Sequence, residues 1–233
     1  MKSVIIFGGS GGIGSAITQT LKHLGFAVAI ADIRPTDTKV ADFFIPTNAT
    51  REVDIKRAIS TAQEKFGSID VVINCQGVYF VDKIENTPVE EFDKMIDTNL
   101  RSVFLVCKNV VPLMKFKKSG YIVNLASMAG LRGKAGEGAY CASKFGVVGL
   151  TDALFEELKG TGVRVTAVCP TSVDTPFLNK AVELSEEELE KILRPSDIGR
   201  IVGELVTSHP RVLRKIVPIE IEIEIDKLKK KKK

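Results

Sequence analysis

Ser3-Val-Ile-Ile-Phe7-Gly8-Gly-Ser-Gly-Gly12-Ile-Gly14 is the stretch on which the fold turns. Residues 3–7 form a short apolar run without alternation, the pattern of a strand buried on both faces in a parallel sheet. The glycines that follow permit a tight turn and let another group approach the backbone closely. An amphipathic helix is predicted from about 13 to 24, then a second strand, Phe26 to Ala31, which ends in Asp32. That acid stands eighteen residues beyond Gly14, close to the spacing at which a carboxylate meets an adenosine ribose. Strand, glycine turn, helix, strand and acid together read as a dinucleotide-binding unit. Gly8 and Gly12 let the backbone approach a pyrophosphate, Gly14 lets the helix pack on the strand, and the helix N-terminus faces the phosphates.

Farther along, Ser127, Tyr140 and Lys144 form a second constellation. Tyr140 and Lys144 are four residues apart, so on a helix they share one face. A tyrosine titrates near pH 10, and service as a base at neutral pH needs a move of about 3 pH units, worth about 4 kcal/mol. A unit charge at about 4 Å with an effective dielectric of about 20 supplies that much, so the ammonium is expected to make the phenol an acid or base. Ser127 follows the apolar run Tyr121 to Leu125 and falls at a strand's C-terminal edge, where open α/β sheets place ligands.

The remaining chain alternates strands and helices. A short strand is predicted at Asp42 to Ile45, a helix at about 51–65 after Asn48-Ala-Thr50, and a strand at Val71 to Asn74 closing on Gln76-Gly77. Thr87-Pro-Val-Glu90 reads as a capping box with proline at the first helical position. The helix it opens is expected to bend through Asn99 toward Met114. A helix at about 138–159, a strand at Val163 to Cys169, a second capping box at Ser185-Glu-Glu-Glu188 and a helix from Pro195 to about Thr207 follow. Ile216 to Ile225 alternates apolar and acidic residues, as a half-exposed strand does. The whole is an α/β single-domain Rossmann fold over residues 1–226, a doubly wound, mainly parallel sheet of about seven strands with helices on both faces, followed by a lysine-rich tail, 227–233, expected to be disordered.

With 44% apolar residues in 233, the chain can bury a large core. Its net charge of +4 falls to −2 once the six lysines at 227 and 229–233 are set aside, so the body is no basic nucleic-acid surface. No apolar run of membrane-spanning length occurs and the N-terminus does not read as a signal peptide; a soluble, cytoplasmic protein with no membrane or nucleic-acid partner is expected. Cys75, Cys107, Cys141 and Cys169 lack metal-ligand spacing and read as buried free thiols, with no metal site.

Ser127 with Tyr140-Cys-Ala-Ser-Lys144 and the glycine turn resembles the short-chain dehydrogenase/reductase family, over residues 2 to about 217. The resemblance implies reversible hydride transfer between a nicotinamide cofactor and an alcohol or ketone. Tyr140 would be the acid or base. Ser127 would hold the substrate oxygen, and Lys144 would lower the tyrosine pKa while binding the nicotinamide ribose. Asn99 would bend its helix and hold a water beside the lysine. Cofactor contacts would come from Gly8, Ser10, Gly12, Ile13, Gly14, Asp32, Asn48, Asn74, Gly77, Tyr140, Lys144, Pro170 and Thr175. Asn48 replaces a family aspartate that faces adenine, Cys75 and Gln76 depart from an Asn-Asn-Ala-Gly segment, and Thr171 replaces a glycine. Residues 177–193 correspond to a lid over the substrate, and Phe177, Leu178, Val182 and Leu184 face either substrate or core. Asp32 favours NAD over NADP by repelling a 2′-phosphate, while Arg34, two residues on, is able to meet one. Narrower and different readings stand beside this one: a 3-oxoacyl-acyl-carrier-protein reductase, or a non-catalytic NAD-binding sensor or interaction module. Family members pair through the helices placed here at about 98–116 and 138–159, which implies a homodimer or homotetramer.

Overall fold

The computed structural model describes residues 1–35, 40–179, 182–183, 185–221 and 229–230. Seven strands make one sheet: β1 (Ser3–Phe7), β2 (Ala27–Asp32), β3 (Phe43–Pro46), β4 (Val71–Asn74), β5 (Gly120–Leu125), β6 (Val163–Pro170) and β7 (Ile216–Ile219). Their spatial order is β3-β2-β1-β4-β5-β6-β7 and every pairing is parallel. The order runs outward in both directions from β1 and β4, so the neighbouring ends of those strands form the crevice of a doubly wound sheet. β1, β2, β4 and β5 are buried along their whole length, which is why they read as unbroken apolar runs rather than alternating ones.

Alternation does appear between the two faces. Ile5, Phe7 and Val72 pack beneath α2 (Glu52–Phe66), α4 (Ser102–Lys117) and α5 (Gly138–Glu157). Val4, Ile6 and Ile73 pack beneath α1 (Gly12–His23) and α6 (Pro195–Thr207). The two helices of that second layer lie so close that a Cβ on Gly199 would stand 2.7 Å from Thr20 Oγ1 and 2.9 Å from the Ala16 carbonyl.

α3 (Val89–Met95) runs into a wide π turn, Ile96–Arg101, before α4 begins. This is the bend expected at Asn99. The capping box at Thr87 does not form. Pro88 occupies the cap position without a side-chain bond, and Thr87 Oγ1 instead donates to the Lys83 carbonyl at 3.0 Å, closing the preceding 3-10 turn. The Ser185 box does form, around a short helix Glu186–Glu190. The C-terminal strand is shorter than its alternation suggested: pairing with β6 stops at Ile219, opposite Pro170, and residues 222–228 lie outside the described residues. Of the expected tail, only Lys229 and Lys230 are described, their backbone antiparallel to Val182–Glu183.

Candidate active site

The glycine turn and the C-terminal ends of the strands border a cleft of about 1530 Å³. Gly8 has φ +75 and a Cβ there would stand 2.4 Å from the Gln76 backbone nitrogen, so only glycine joins β1 to the turn while β4's loop passes alongside. A Cβ on Gly14 would collide with the Gly8 carbonyl at 2.4 Å, the close helix–strand packing expected of it. Gly12 faces the side chain of Thr175, which a Cβ would approach to 2.8 Å. At the end of β2, Asp32 is buried at 6% exposure. Its two oxygens accept the Ser10 and Arg34 backbone N–H groups, each at 3.0 Å, and Arg34 Nε lies 4.0 Å away. One carboxylate is thereby fixed beside the turn. A cradle that excludes Cβ atoms, opened by a helix N-terminus and ended by a fixed acid, fits a dinucleotide.

The second constellation closes the cleft. Ser127 lies just past β5 and caps the 3-10 turn Met128–Gly130, its Oγ accepting the Ala129 N–H at 3.1 Å and reaching the Pro170 carbonyl at 3.5 Å. Tyr140 and Lys144 project from the first turns of α5, Nζ lying 5.7 Å from the ring centroid. Both side chains are buried, at 8% and 5% exposure. Lys144 Nζ donates to the Leu125 carbonyl at 2.9 Å. Burial brings the Lys144 ammonium down to about 8, against a smaller upward pull from the Cys75 and Cys169 thiols. Burial also pushes the Tyr140 phenol above its ordinary value, and the group that draws it back is the Ser127 hydroxyl, through a hydrogen bond. Desolvation thus raises the phenol in this structure, and a protonated phenol answers to the acid half of the acid-or-base role expected of it.

Asn99 stands behind this pair. Its Oδ1 accepts the Val78 N–H at 2.8 Å, and its Nδ2 donates to the Val78 carbonyl and to Ser143 Oγ, each at 3.0 Å. Ser143 in turn donates to the Tyr140 carbonyl. The π turn thus couples the loop after β4 to the helix that carries Tyr140.

The model of the short chain dehydrogenase family matches residues 2–186. The chain belongs to the short-chain dehydrogenase family. The D-beta-hydroxybutyrate dehydrogenase of Rhizobium meliloti is 35% identical over 193 residues, which cover 78% of this chain and 75% of that protein. The 3-oxoacyl-[acyl-carrier-protein] reductase of Staphylococcus epidermidis is 34% identical over 203 residues, covering 82% and 83%. A solved levodione reductase superposes with a TM-score of 0.86 at 27% identity, over 94% of this chain and 96% of that one. As a short-chain dehydrogenase, the protein is an NAD(P)-dependent oxidoreductase that moves a hydride between a nicotinamide cofactor and an alcohol or ketone.

Within this dehydrogenase, Gly8, Ser10, Gly12, Ile13, Gly14, Asp32, Asn48, Gly77, Ser127, Tyr140, Lys144, Pro170 and Thr175 all line the cleft. Asn74 does not. It is 1% exposed and its Nδ2 donates to Asn124 Oδ1 at 2.8 Å, at the head of a buried chain that continues through Thr151 to the Val147 carbonyl. Its amide belongs to the packing of β4 on β5 and α5. Asn48 spends its side-chain oxygen on Thr50, accepting from backbone and hydroxyl at 3.0 and 2.8 Å. Phe177, expected to face substrate or core, lines the cleft, stacked on Tyr79 at 5.6 Å. Two residues at the substrate end escaped the sequence: Tyr79, whose ring meets Tyr140 at 4.7 Å, and Glu137, which accepts the Tyr79 hydroxyl at 2.8 Å. A glutamate three residues before Tyr140 was the signal available for the last.

Proposed function

We propose that this dehydrogenase reduces a small carbonyl compound with NADH, Tyr140 donating the proton. What carries the reading is the buried Tyr140 phenol, hydrogen-bonded to Ser127 with Lys144 on the same helix face at the end of the cleft. A protonated phenol is placed to act as the general acid of reduction, and its phenolate is the base of the reverse step. Ser127 orients the substrate oxygen toward the phenol. Lys144, still charged below about pH 8, stabilises the negative charge left on Tyr140. Asn99, through Val78 and Ser143, keeps the loop after β4 and the start of α5 in register. The glycine turn, Asp32, Gly77, Lys144 and Thr175 are the groups that would hold the dinucleotide, which supplies the hydride donor or acceptor when bound.

NADH is favoured over NADPH because Asp32 is buried, fixed by two backbone N–H groups and placed where a 2′-phosphate would add like charge. NADH is expected to exceed NADPH in kcat/KM by about 100-fold in an absorbance assay, and Asp32→Ala to erase most of that margin. Equal use of both cofactors by the wild type would contradict the assignment. The acyl-carrier reading is supported by the Staphylococcus epidermidis relative among others, and a 3-oxoacyl thioester belongs in the same assay. Four free cysteines fit a reducing compartment, and we place the enzyme in the cytoplasm. Phe104 and Phe116 on α4 and Phe145 on α5 are 49%, 93% and 45% exposed, which supports assembly of identical chains through those helices.

A further inference from the structure

Two rings from separate segments wall the cleft beyond the catalytic phenol. Tyr79, on the loop after β4, meets Tyr140 edge to face, with centroids 4.7 Å apart and planes at 74°. Its ring is stacked with that of Phe177, at 5.6 Å and 22°, from the short helix Pro176–Asn179. Phe177 keeps 41% of its surface exposed. It is an apolar ring standing open beside a site that must bury a substrate. Val78 and Phe80 pack against the same cluster.

The Tyr79 ring is pinned. Its hydroxyl donates to Glu137 Oε1 at 2.8 Å, and the same carboxylate oxygen is paired with Lys134 Nζ at 2.9 Å. Glu137 is only 5% exposed, so releasing either partner would leave a buried carboxylate short of compensation. Burial and the carboxylate both push the Tyr79 phenol up, which keeps it a donor.

Of the cations lining this end of the cleft, Lys144 is bonded to the Leu125 carbonyl and the others are paired with acids. Lys134 pairs with Glu137, Arg132 with Glu220 at 3.7 Å, and Lys94 with Glu91 at 3.3 Å. The Arg132 and Lys94 pairs are solvent-exposed and weak; Lys134 is the cation held by a buried acid. A substrate carboxylate that drew on Lys134 would have to take it from Glu137 and strand that acid.

We propose, resting on the reductase reading above, that Tyr79, Phe177 and Glu137 determine specificity, selecting a carbonyl compound with a flat or apolar body and no anionic group next to the reacting carbon. The flat body packs along the stacked rings, and the Lys134–Glu137 pair denies an anion its counter-charge.

Cyclohexanone, ethyl acetoacetate and acetoacetate, the last two differing in charge at one end, test this with NADH. The chain has three tyrosines and no tryptophan, so tyrosine emission, dominated by a set that includes Tyr79 and Tyr140, reports substrate binding apart from turnover. The ring ketone and the ester are expected to exceed acetoacetate at least 100-fold in kcat/KM. Tyr79→Ala and Phe177→Ala are expected to lower kcat/KM for cyclohexanone at least tenfold, mainly through KM, with NADH affinity unchanged. Tyr79→Phe, which keeps the ring and gives up its bond to Glu137, should hold KM for cyclohexanone within about threefold of wild type at a cost in melting temperature, separating loss of the wall from loss of the fold. Glu137→Gln should free Lys134 and narrow the discrimination against acetoacetate at least tenfold. Preference for acetoacetate, or wild-type KM in both alanine variants, would overturn the specificity assignment and leave the reductase standing. Failure to bind NADH would overturn both.

Discussion

Lys144 is the residue whose surroundings cost the fold most directly. Its ammonium is buried, and burial lowers its pKa from the usual 10.5 to about 8. Because the folded value lies below the unfolded one, the unfolded chain binds more protons between those pH values, and this residue's cost to stability shrinks as pH rises through that window. The full penalty, about 3 kcal/mol, is present below pH 8. Lys144→Met removes it and loses one hydrogen bond to the Leu125 carbonyl, worth about 1 kcal/mol. Thermal unfolding at pH 7 should therefore show the variant about 2 kcal/mol more stable, a rise of roughly 4–8 °C, the gain vanishing by pH 10.5. Its turnover should be lost, and wild-type kcat should fall as pH rises through about 8. An unchanged melting temperature at pH 7 would contradict the burial argument. The sequence revealed the Tyr140–Lys144 pair through its spacing, but not how deeply the phenol is buried. Desolvation depends on what Met95, Ala129, Ala139 and Cys141 place around the ring, and no spacing records that.

Among the elements, the contact between the 3-10 turn Met128–Gly130 and α5 fixes Ser127 relative to Tyr140. A Cβ on Gly130 would stand 2.6 Å from the Lys144 carbonyl oxygen and 2.9 Å from its carbon. Backbone meets backbone, so nothing flexible can yield. Gly130→Ala is expected to lower kcat at least about 100-fold by shifting the reacting groups by a fraction of an ångström, with NADH affinity within about threefold of wild type. Equal kcat in the two proteins would show that the turn and the helix adjust independently. Periodicity identified the glycine turn, Asp32 and α6 because each rests on local chemistry. Thr87 misled because its hydroxyl had a nearer acceptor in the preceding turn. Tyr79 and Glu137 lie 58 residues apart, and their contact follows only once β4 and α5 are placed side by side. Asn74 matched the family's motif, yet its partners are Asn124 and, beyond it, Thr151, on neighbouring elements.

For the molecule as a whole, the parallel order β3-β2-β1-β4-β5-β6-β7 gathers the C-terminal strand ends into one edge, and the cleft runs along it. The opposite concern is the outer face of α4 and α5, where Phe104, Phe116 and Phe145 remain exposed. Burying them between copies is expected, and Phe104→Glu combined with Phe145→Glu should shift sedimentation from an oligomer to a monomer. A wild type already monomeric at micromolar concentration would refute that. The sheet edge matters chiefly because it brings Ser127, Tyr140 and Lys144 to one end of the dinucleotide cleft. The most direct check is single-turnover reduction by Tyr140→Phe, with NADH affinity measured on the same sample. A loss of at least about 1000-fold in rate with NADH affinity unchanged is the expected result; wild-type rate from the phenylalanine variant would contradict it.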